Sequence, residues 1–434
     1  MPNCDIPLET GDGSGNFAQS DRVQSSLVVL GLLRAPWGDE SIEGSNLKSK
    51  FRTGAPIFFA AINMRAGLFL ISPLIPILKV RFDLSIAEIS LLAGIPIFCF
   101  ASTSLLMGLV AKLGSSNRII KWALTVLAFA LLARTFTGLI GLYLFSFVMG
   151  ISIAVLNYEL PVWVKEHASK DAGFMTGVYS TLMGTTGAIA IAISVPLAEL
   201  NSLSWQMAML PWVAIALVVS IYWWRKTEVE IIQKLAKPVH FWRSPAIKSP
   251  VAWALVAFFG IESMVFLAAA TWLPTILLTK DFSLRGGAYA VSFAGVVGAL
   301  AGLTIPHYVG KYRDKRIVLI GASLLTAVAF LAISMLSGPV VILWLCLVHI
   351  GFSICFPLCL MLTGTKSSSP EGTRNMSTMM QSFGYALSAV GPGLLGYLYQ
   401  SFGNWNTALL GLVALTMVQM AMGWIVGKPT LISS

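Results

Sequence analysis

The sequence carries little charge, because Asp, Glu, Lys and Arg together make up 11% of its 434 residues. Soluble proteins have roughly 25% charged residues, so a water-soluble globular domain is excluded. Cysteine is also scarce: there are five, and four of them lie within apolar runs at spacings that fit no metal site, namely Cys99, Cys346, Cys355 and Cys359. We therefore expect small core residues rather than disulfides or metal ligands.

Short motifs that mark enzymes and ATP-driven pumps are missing as well. The chain has no Gly-rich phosphate-binding loop, no spacing typical of a catalytic triad and no metal-ligand cluster. Its net charge of +10 comes from basic residues scattered over many short segments rather than from one continuous patch. We therefore expect no enzymatic activity, no cofactor and no nucleic-acid partner.

Apolar sequence is abundant, with 56% hydrophobic residues and a mean hydropathy of +0.79. Residues 317–365 and 375–427 contain no Asp, Glu, Lys or Arg at all. Because a membrane-spanning helix needs about 20 apolar residues, each of these runs is long enough for two helices joined by a turn. The sequence therefore predicts an all-α membrane protein.

Apolar segments bounded by charge, Gly or Pro predict twelve transmembrane spans. Spans 1 to 6 are Pro56–Leu78, Ile86–Ala111, Ile119–Ala133, Leu139–Val164, Gly173–Leu197 and Trp205–Trp224. Spans 7 to 12 are Pro250–Leu278, Gly287–Ile305, Ile317–Leu336, Val340–Thr363, Thr378–Tyr399 and Trp405–Val426. The predicted domains are a disordered cytoplasmic tail (1–54), a six-helix bundle (55–224), a cytoplasmic linker (225–249), a second six-helix bundle (250–427) and a short cytoplasmic tail (428–434).

Basic residues favour one orientation of these spans. The segments on the side of the two termini contain 21 Lys and Arg residues when the N-terminal tail is counted only near span 1, from Lys48 onward, whereas the segments on the opposite side contain 5. Short cytoplasmic segments are enriched in Lys and Arg, so both termini are predicted to lie in the cytoplasm. The expected location is the cytoplasmic membrane, with membrane lipids as the surroundings and a monomer as the expected state.

The two halves of the chain look like copies displaced by about 200 residues. Ala93-Gly94 matches Ala294-Gly295, and Gly150-Ile151-Ser152-Ile153 matches Gly351-Phe352-Ser353-Ile354. Two such bundles joined by a charged linker resemble the major facilitator superfamily. The resemblance implies a pseudo-symmetric fold whose halves rock about a site at the bilayer midplane. The loop after span 8 has the expected charges around Asp314, but the loop after span 2 lacks the usual acid.

Ionisable residues within predicted spans are the main functional candidates, because a charge near the bilayer centre costs at least about 2.5–3.5 kcal/mol. Arg65, preceded by Asn63, lies in span 1, Glu262 in span 7, and Glu159 near the cytoplasmic end of span 4. The repeat places Arg65 and Glu262 at similar depth, which predicts a contact between them. That contact is either a fixed ion pair or one that an incoming anion opens, and Glu262 is a candidate for proton exchange. Glu159 is expected either to line a cavity or to brace helices.

Uncharged polar residues add a second group of candidates. Tyr179, Gln381 and Tyr385 are predicted to bind substrate beside Arg65 and Asn63, and Gln381 and Tyr385 share a helix face through their i, i+4 spacing. His349 is either a packing residue or a proton carrier. Asn157 and Trp272 are secondary candidates, and Trp272 is expected to be part of an interfacial belt or a cavity wall.

A narrower resemblance rests on four short motifs. They are Asn63-Met64-Arg65, Asn157 with Leu160-Pro161, Gly177-Val178-Tyr179, and the span 11 block Met380-Gln381-Ser382-Phe383-Gly384-Tyr385 followed by Gly391-Pro392. Together they resemble the cyanate transporter family. This resemblance implies a secondary transporter of a small polar or anionic solute, including cyanate-like ions or small heterocycles, with possible coupling to protons. A multidrug exporter of the same fold and a transporter-like solute sensor are the alternatives.

Overall fold

A computed structural model describes residues 44–110, 114–200, 204–226, 245–310, 312–367 and 370–430, and almost all of these residues are helical. Ten of the described helical segments are long and apolar enough to cross a membrane. The all-α prediction is therefore confirmed. Most of the predicted N-terminal tail and linker, together with Lys112 and Lys311, lie outside the described residues.

The N-terminal half supplies spans 1 to 6. Span 1 consists of Gly44–Phe69, a 3-10 turn at Ser72–Leu74 and Ile75–Phe82. Spans 2 to 6 are Ile86–Val110, Ser116–Phe136, Gly138–His167, Ala172–Glu199 and Trp205–Arg225. The first helix thus begins about ten residues before the predicted end of the tail at residue 54.

The C-terminal half supplies spans 7 to 12. Spans 7 to 10 are Pro250–Leu277, Leu284–Gly310, Arg316–Met335 and Val341–Thr365. Span 11 consists of Pro370–Ser388 and Gly391–Phe402, and span 12 is Trp405–Val426. Span 11 therefore begins earlier than predicted and is interrupted at residues 389–390.

Both interruptions coincide with proline. In span 1, Pro73 opens the 3-10 turn and Pro76 lies in the first turn of Ile75–Phe82. In span 11, Pro392 lies in the first turn after the break. Proline has no N–H to donate to the preceding turn, but it is tolerated where a helix starts. Each broken span consequently has main-chain carbonyls near the break that other side chains can reach.

The turns after spans 1 and 7 show the internal repeat directly. Asp83 and Asp281 occupy equivalent positions and have φ angles of 51° and 65°, the left-handed conformation that non-Gly residues rarely adopt. Two residues later, Ser85 and Ser283 accept main-chain N–H groups at the starts of spans 2 and 8. The same turn is therefore built twice from corresponding residues.

Spans from the two halves meet along three lines. Span 5 packs against span 8, both segments of span 11 pack against span 2, and the 3-10 turn of span 1 packs against span 7. These contacts place the middles of spans 1, 2, 7 and 11 close together. A site shared by both halves is therefore possible at this junction.

We call the side of the bundle at which spans 1 and 7 end the distal side. Here Ser72 Oγ donates to Thr271 O at 2.7 Å, Ser90 Oγ donates to Pro392 O at 3.2 Å, and Ser292 Oγ donates to Ala188 O at 2.5 Å. Each of these bonds joins one half to the other. An ion pair between Glu199 and Arg285 adds a fourth link. The two halves are therefore held together on the distal side.

Candidate functional site

Arg65 lies in the middle of span 1 and is half-buried. Its Cζ is 5.9 Å from the centroid of the Phe69 ring, one helical turn away. Gly187 of span 5 comes so close that a Cβ atom there would lie 3.3 Å from the Cβ of Arg65. No acidic side chain pairs with Arg65 among the described residues. The guanidinium is therefore available to a ligand.

Tyr385 of span 11 is a group of the opposite half that lies near Arg65. Its hydroxyl lies within electrostatic range of the guanidinium. The Tyr385 ring makes edge contacts with Phe100 of span 2, at 5.5 Å between centroids, and with Phe259 of span 7, at 5.2 Å. These packing contacts fix the ring at the junction of spans 1, 2, 7 and 11. We call Arg65 and Tyr385 the central pair.

Asn63 is 1% exposed, and neither its Nδ2 nor its Oδ1 has a hydrogen-bond partner in the described part of the chain. Such buried unsatisfied amides are rare in folded proteins and call for an explanation. Residues two apart on an α-helix point about 200° away from each other. Asn63 and Arg65 therefore occupy different faces of span 1 and do not form one polar surface as predicted.

Tyr179 and Gln381 lie near the central pair without completing a polar ring around it. Tyr179 is buried in the hydrophobic cluster of the N-terminal half, against which Tyr385 also packs. Gln381 donates from Nε2 to Ser377 Oγ at 3.0 Å within its own helix. Gln381 and Tyr385 share a face of span 11 through their i, i+4 spacing.

Glu262 has a partner other than the predicted one. It is 2% exposed, and its Oε2 accepts a hydrogen bond from Gln419 Nε2 of span 12 at 2.5 Å. Its neighbours in electrostatic range include Cys355 and Cys359 of span 10. Glu262 is therefore directed into the C-terminal half, and the expected direct contact with Arg65 is not formed among the described residues.

The other ionisable candidates are held by local contacts. His349 Nδ1 lies 2.9 Å from Leu345 O, and its ring packs on Phe352. Glu159 is 3% exposed and lies close to Ser116 at the start of span 3, whose Oγ donates to the neighbouring Glu166 Oε1 at 3.2 Å. This contact matches the bracing alternative for Glu159. Asn157 is half-buried in the same span.

Trp272 does not belong to an interfacial belt. It is 1% exposed, its Nε1 donates to Pro392 O at 2.9 Å, and its ring packs on Trp405 with centroids 5.1 Å apart. The break in span 11 offers the carbonyl that this indole uses. The belt expectation for Trp272 is therefore wrong, and in this structure the residue anchors span 7 to span 11.

Gln419 and Arg134 are two of the buried polar residues that the sequence-based candidates do not include. Gln419 has no charge to single it out. Arg134 follows the predicted end of span 3 by one residue and therefore counts as a loop charge, whereas the helix continues to Phe136. The uncharged residues Thr135, Phe136 and Thr137 after it are the signal that the helix could extend further.

Comparison with known proteins shows which family this chain is similar to. The sequence matches the family model of the Major Facilitator Superfamily over residues 57–392. It is 29% identical over 380 residues to the 2-nitroimidazole transporter of Escherichia coli (strain K12), covering 86% of this chain and 95% of that protein. It is 24% identical over 351 residues to the cyanate transport protein CynX of the same organism, covering 79% and 89%.

Solved structures give the same fold at low sequence identity. A bacterial homologue of the human lysosomal transporter Spinster, in an inward-facing and unoccupied conformation, superposes with a TM-score of 0.73 at 14% identity. The match covers 88% of this chain and 96% of that one. Since the family match spans most of both six-helix halves, the chain belongs to the Major Facilitator Superfamily.

Proposed function

We propose that this protein is a secondary active transporter that moves a small polar or anionic solute across the cytoplasmic membrane by alternating access. The proposal rests on one observation above all. Arg65 presents a half-buried guanidinium that has no ion-pair partner in the described part of the chain, and it lies within electrostatic range of Tyr385 of the other half. A solute bound there would touch both halves, so movement of the halves would change its access.

Arginine favours a particular class of solute. Its guanidinium keeps its charge and presents a planar fork of N–H donors that fits carboxylate-like oxygens. The hydroxyl of Tyr385 adds a group that can donate or accept a hydrogen bond. The aromatic neighbours Phe69, Phe100 and Phe259 supply flat apolar walls. This combination suits a small anion or a compact polar heterocycle.

The named relatives support this class. The names of two relatives give 2-nitroimidazole and cyanate as their solutes, the first a small polar heterocycle and the second a small anion. We propose the same range for this chain, with binding centred on Arg65 and Tyr385. Tyr179 and Gln381 would contribute from the neighbouring faces of spans 5 and 11.

Proton coupling is assigned to Glu262 rather than to His349. Glu262 is a nearly fully buried carboxylate whose Oε1 has no partner in the described structure. His349 already has a main-chain partner in its own helix. Burial of a charged carboxylate is costly unless it is fully hydrogen-bonded. Uptake of a proton by Glu262 would relieve that cost.

With both termini in the cytoplasm, the distal side faces outward. The hydroxyl bonds and the ion pair that join the halves there would then close the outer entrance. The conformation described here is accordingly one that is sealed on the outside, and transport would require these links to open. The transporter would act as a monomer, since the central pair is supplied by a single chain.

Counterflow in proteoliposomes tests the proposal. Purified protein is reconstituted with an excess of unlabelled cyanate or 2-nitroimidazole inside, and entry of the labelled compound is followed over time. We expect counterflow with at least one of these probes and its loss in Arg65→Gln. Efflux of tetraphenylphosphonium without either counterflow would favour a multidrug exporter. Saturable binding without counterflow would favour a sensor.

A further inference from the structure

Arg134 is a buried cation that does not belong to the central pair. It is 2% exposed, near the distal end of span 3. Its Nη1 donates to Gly67 O of span 1 at 2.8 Å and also lies 3.5 Å from Met149 Sδ of span 4, while Nε has no partner. No acidic side chain pairs with it in the part of the chain that the structure describes. The positive charge of the Arg134 guanidinium is therefore met only by two neutral acceptors among the described residues.

The guanidinium borders a cavity between spans 1, 2 and 7. The cavity has a volume of about 40 Å³, where one water needs about 10–15 Å³ in the same measure. Arg134 is the one charged residue among the described side chains that line it. The space fits a few non-hydrogen atoms and excludes a bulky solute.

The cavity extends from the neighbours of the central pair to one of the distal bonds between the halves. At one end the lining includes Phe69, whose ring lies beside Arg65, and Phe100, whose ring contacts Tyr385. At the other end it includes Ser72 and Thr271, which form one of the distal bonds between the halves. The cavity therefore lies between the central pair and the distal closure.

We propose that Arg134 forms a second anion-binding site, at which a small monovalent anion the size of cyanate or formate pauses between the central pair and the distal opening. This inference rests on the proposed transport of a small solute and adds its path on the distal side. Arg134 supplies the counter-charge to an anion in the cavity. The contact with Gly67 O holds the guanidinium at the wall of the cavity.

A cysteine placed in the cavity reports the local charge. Ala270 lines the cavity on span 7 and is half-buried. Ala270→Cys is reconstituted in proteoliposomes and labelled with the small anionic reagent iodoacetate or with neutral iodoacetamide of the same size, and each rate is divided by its rate with a free thiol. Protein without the introduced cysteine gives the background from native thiols.

The same ratio is then measured with Arg134→Gln and with Arg134→Lys. A unit charge within about 10 Å of the thiol changes the preference for the anionic reagent by about tenfold. We expect that preference to fall about tenfold in Arg134→Gln and to persist in Arg134→Lys. Equal ratios in all three proteins would overturn the proposal, since a purely structural arginine would leave charge selectivity unchanged.

Protection gives a second measurement that needs no Arg134 variant. Sodium formate should slow labelling of Ala270→Cys by iodoacetate, whereas sodium gluconate at equal ionic strength should not. Identical labelling in both salts would also count against the anion site. If the wild-type protein shows no counterflow but labelling follows Arg134 charge, the transport proposal fails and the anion site stands. Counterflow with charge-independent labelling removes the anion site alone.

Discussion

Gln419 of span 12 donates a hydrogen bond to Glu262 of span 7, and each of the two side chains keeps one oxygen without a partner. Both residues are almost completely buried, at 1% and 2% exposure. Glu262 Oε1 and Gln419 Oε1 are therefore two buried acceptors that receive no hydrogen bond from the described residues. A proton on Glu262 would supply a donor at this place, which is why we propose Glu262 as the proton acceptor.

Replacing Glu262 with Gln should abolish the dependence of solute accumulation on a pH gradient while sparing solute exchange. The new amide carries a permanent donor and can still bond to Gln419, so we expect the fold to persist. Accumulation driven by an imposed pH gradient and counterflow at equal pH are compared in the same proteoliposomes. Undiminished gradient-driven accumulation would remove Glu262 from the coupling step.

Asp314→Asn is the matched control for this change. Hydrogen bonds from Arg316 hold the pKa of Asp314 at about 2, below its ordinary value of 3.8. Because the folded pKa is depressed, the stabilisation by this contact is present above pH 4 and is lost as the pH falls towards 2. Asp314 stays ionised in any ordinary transport assay, so its replacement should leave pH-gradient dependence unchanged.

Arg65→Lys should reduce transport about tenfold or more although the charge is kept, because an ammonium group cannot reproduce the planar fork of donors. Arg81→Lys, at an exposed position of the same span, is the matched control and should transport normally. Initial rates over a range of solute concentrations separate weaker binding from slower movement. Wild-type rates in Arg65→Lys would show that the guanidinium does not recognise the solute.

Asn63→Leu should stabilise the protein at rest and impair transport. An unsatisfied buried polar group costs about 1–3 kcal/mol, and a leucine of similar size removes that cost. Asn117→Leu provides the opposite case, because Asn117 Oδ1 accepts a 2.6 Å hydrogen bond from Trp163 Nε1. The unfolding temperature measured in detergent should rise for Asn63→Leu and fall for Asn117→Leu. A lower unfolding temperature for Asn63→Leu would mean that the amide has a structural partner at rest.

Gly391→Ala should destabilise the junction of spans 7 and 11. A Cβ atom at Gly391 would lie 2.6 Å from Met264 O, a main-chain atom that cannot move aside easily. Overpacking of this kind costs about 1–3 kcal/mol. Gly393→Ala, two residues further on, meets nothing within 4 Å and should be neutral. Equal thermal stability of the two variants would indicate that the two spans can separate at little cost.

The depth of a side chain in the membrane could be predicted from the sequence. The direction in which that side chain points from its helix could not. The length of an apolar run fixes where a helix lies, so Arg65 and Glu262 were correctly expected within spans. Whether two such side chains face each other depends on how neighbouring helices pack. Glu262 faces Gln419 instead, a residue whose importance appears only when spans 7 and 12 are in contact.

Local irregularities caused the remaining errors. Trp272 lies near the end of an apolar run, which is typical of an interfacial position, but the break in span 11 exposes a carbonyl for its indole. Arg134 follows the predicted end of a short span, yet the helix continues past it and buries its charge. Breaks and helix ends are set by tertiary contacts that a pattern of apolar residues does not contain.

Ser72, Ser90 and Ser292 all donate to main-chain carbonyls of the other half. An ordinary substitution leaves the carbonyl in place, so mutation removes these three bonds only through their donors. Each serine-to-alanine change should remove one bond and leave the central pair in place. Natural variation at these three serines can thus shift the equilibrium between the closed and the open distal side in small steps, without changing Arg65 or Tyr385.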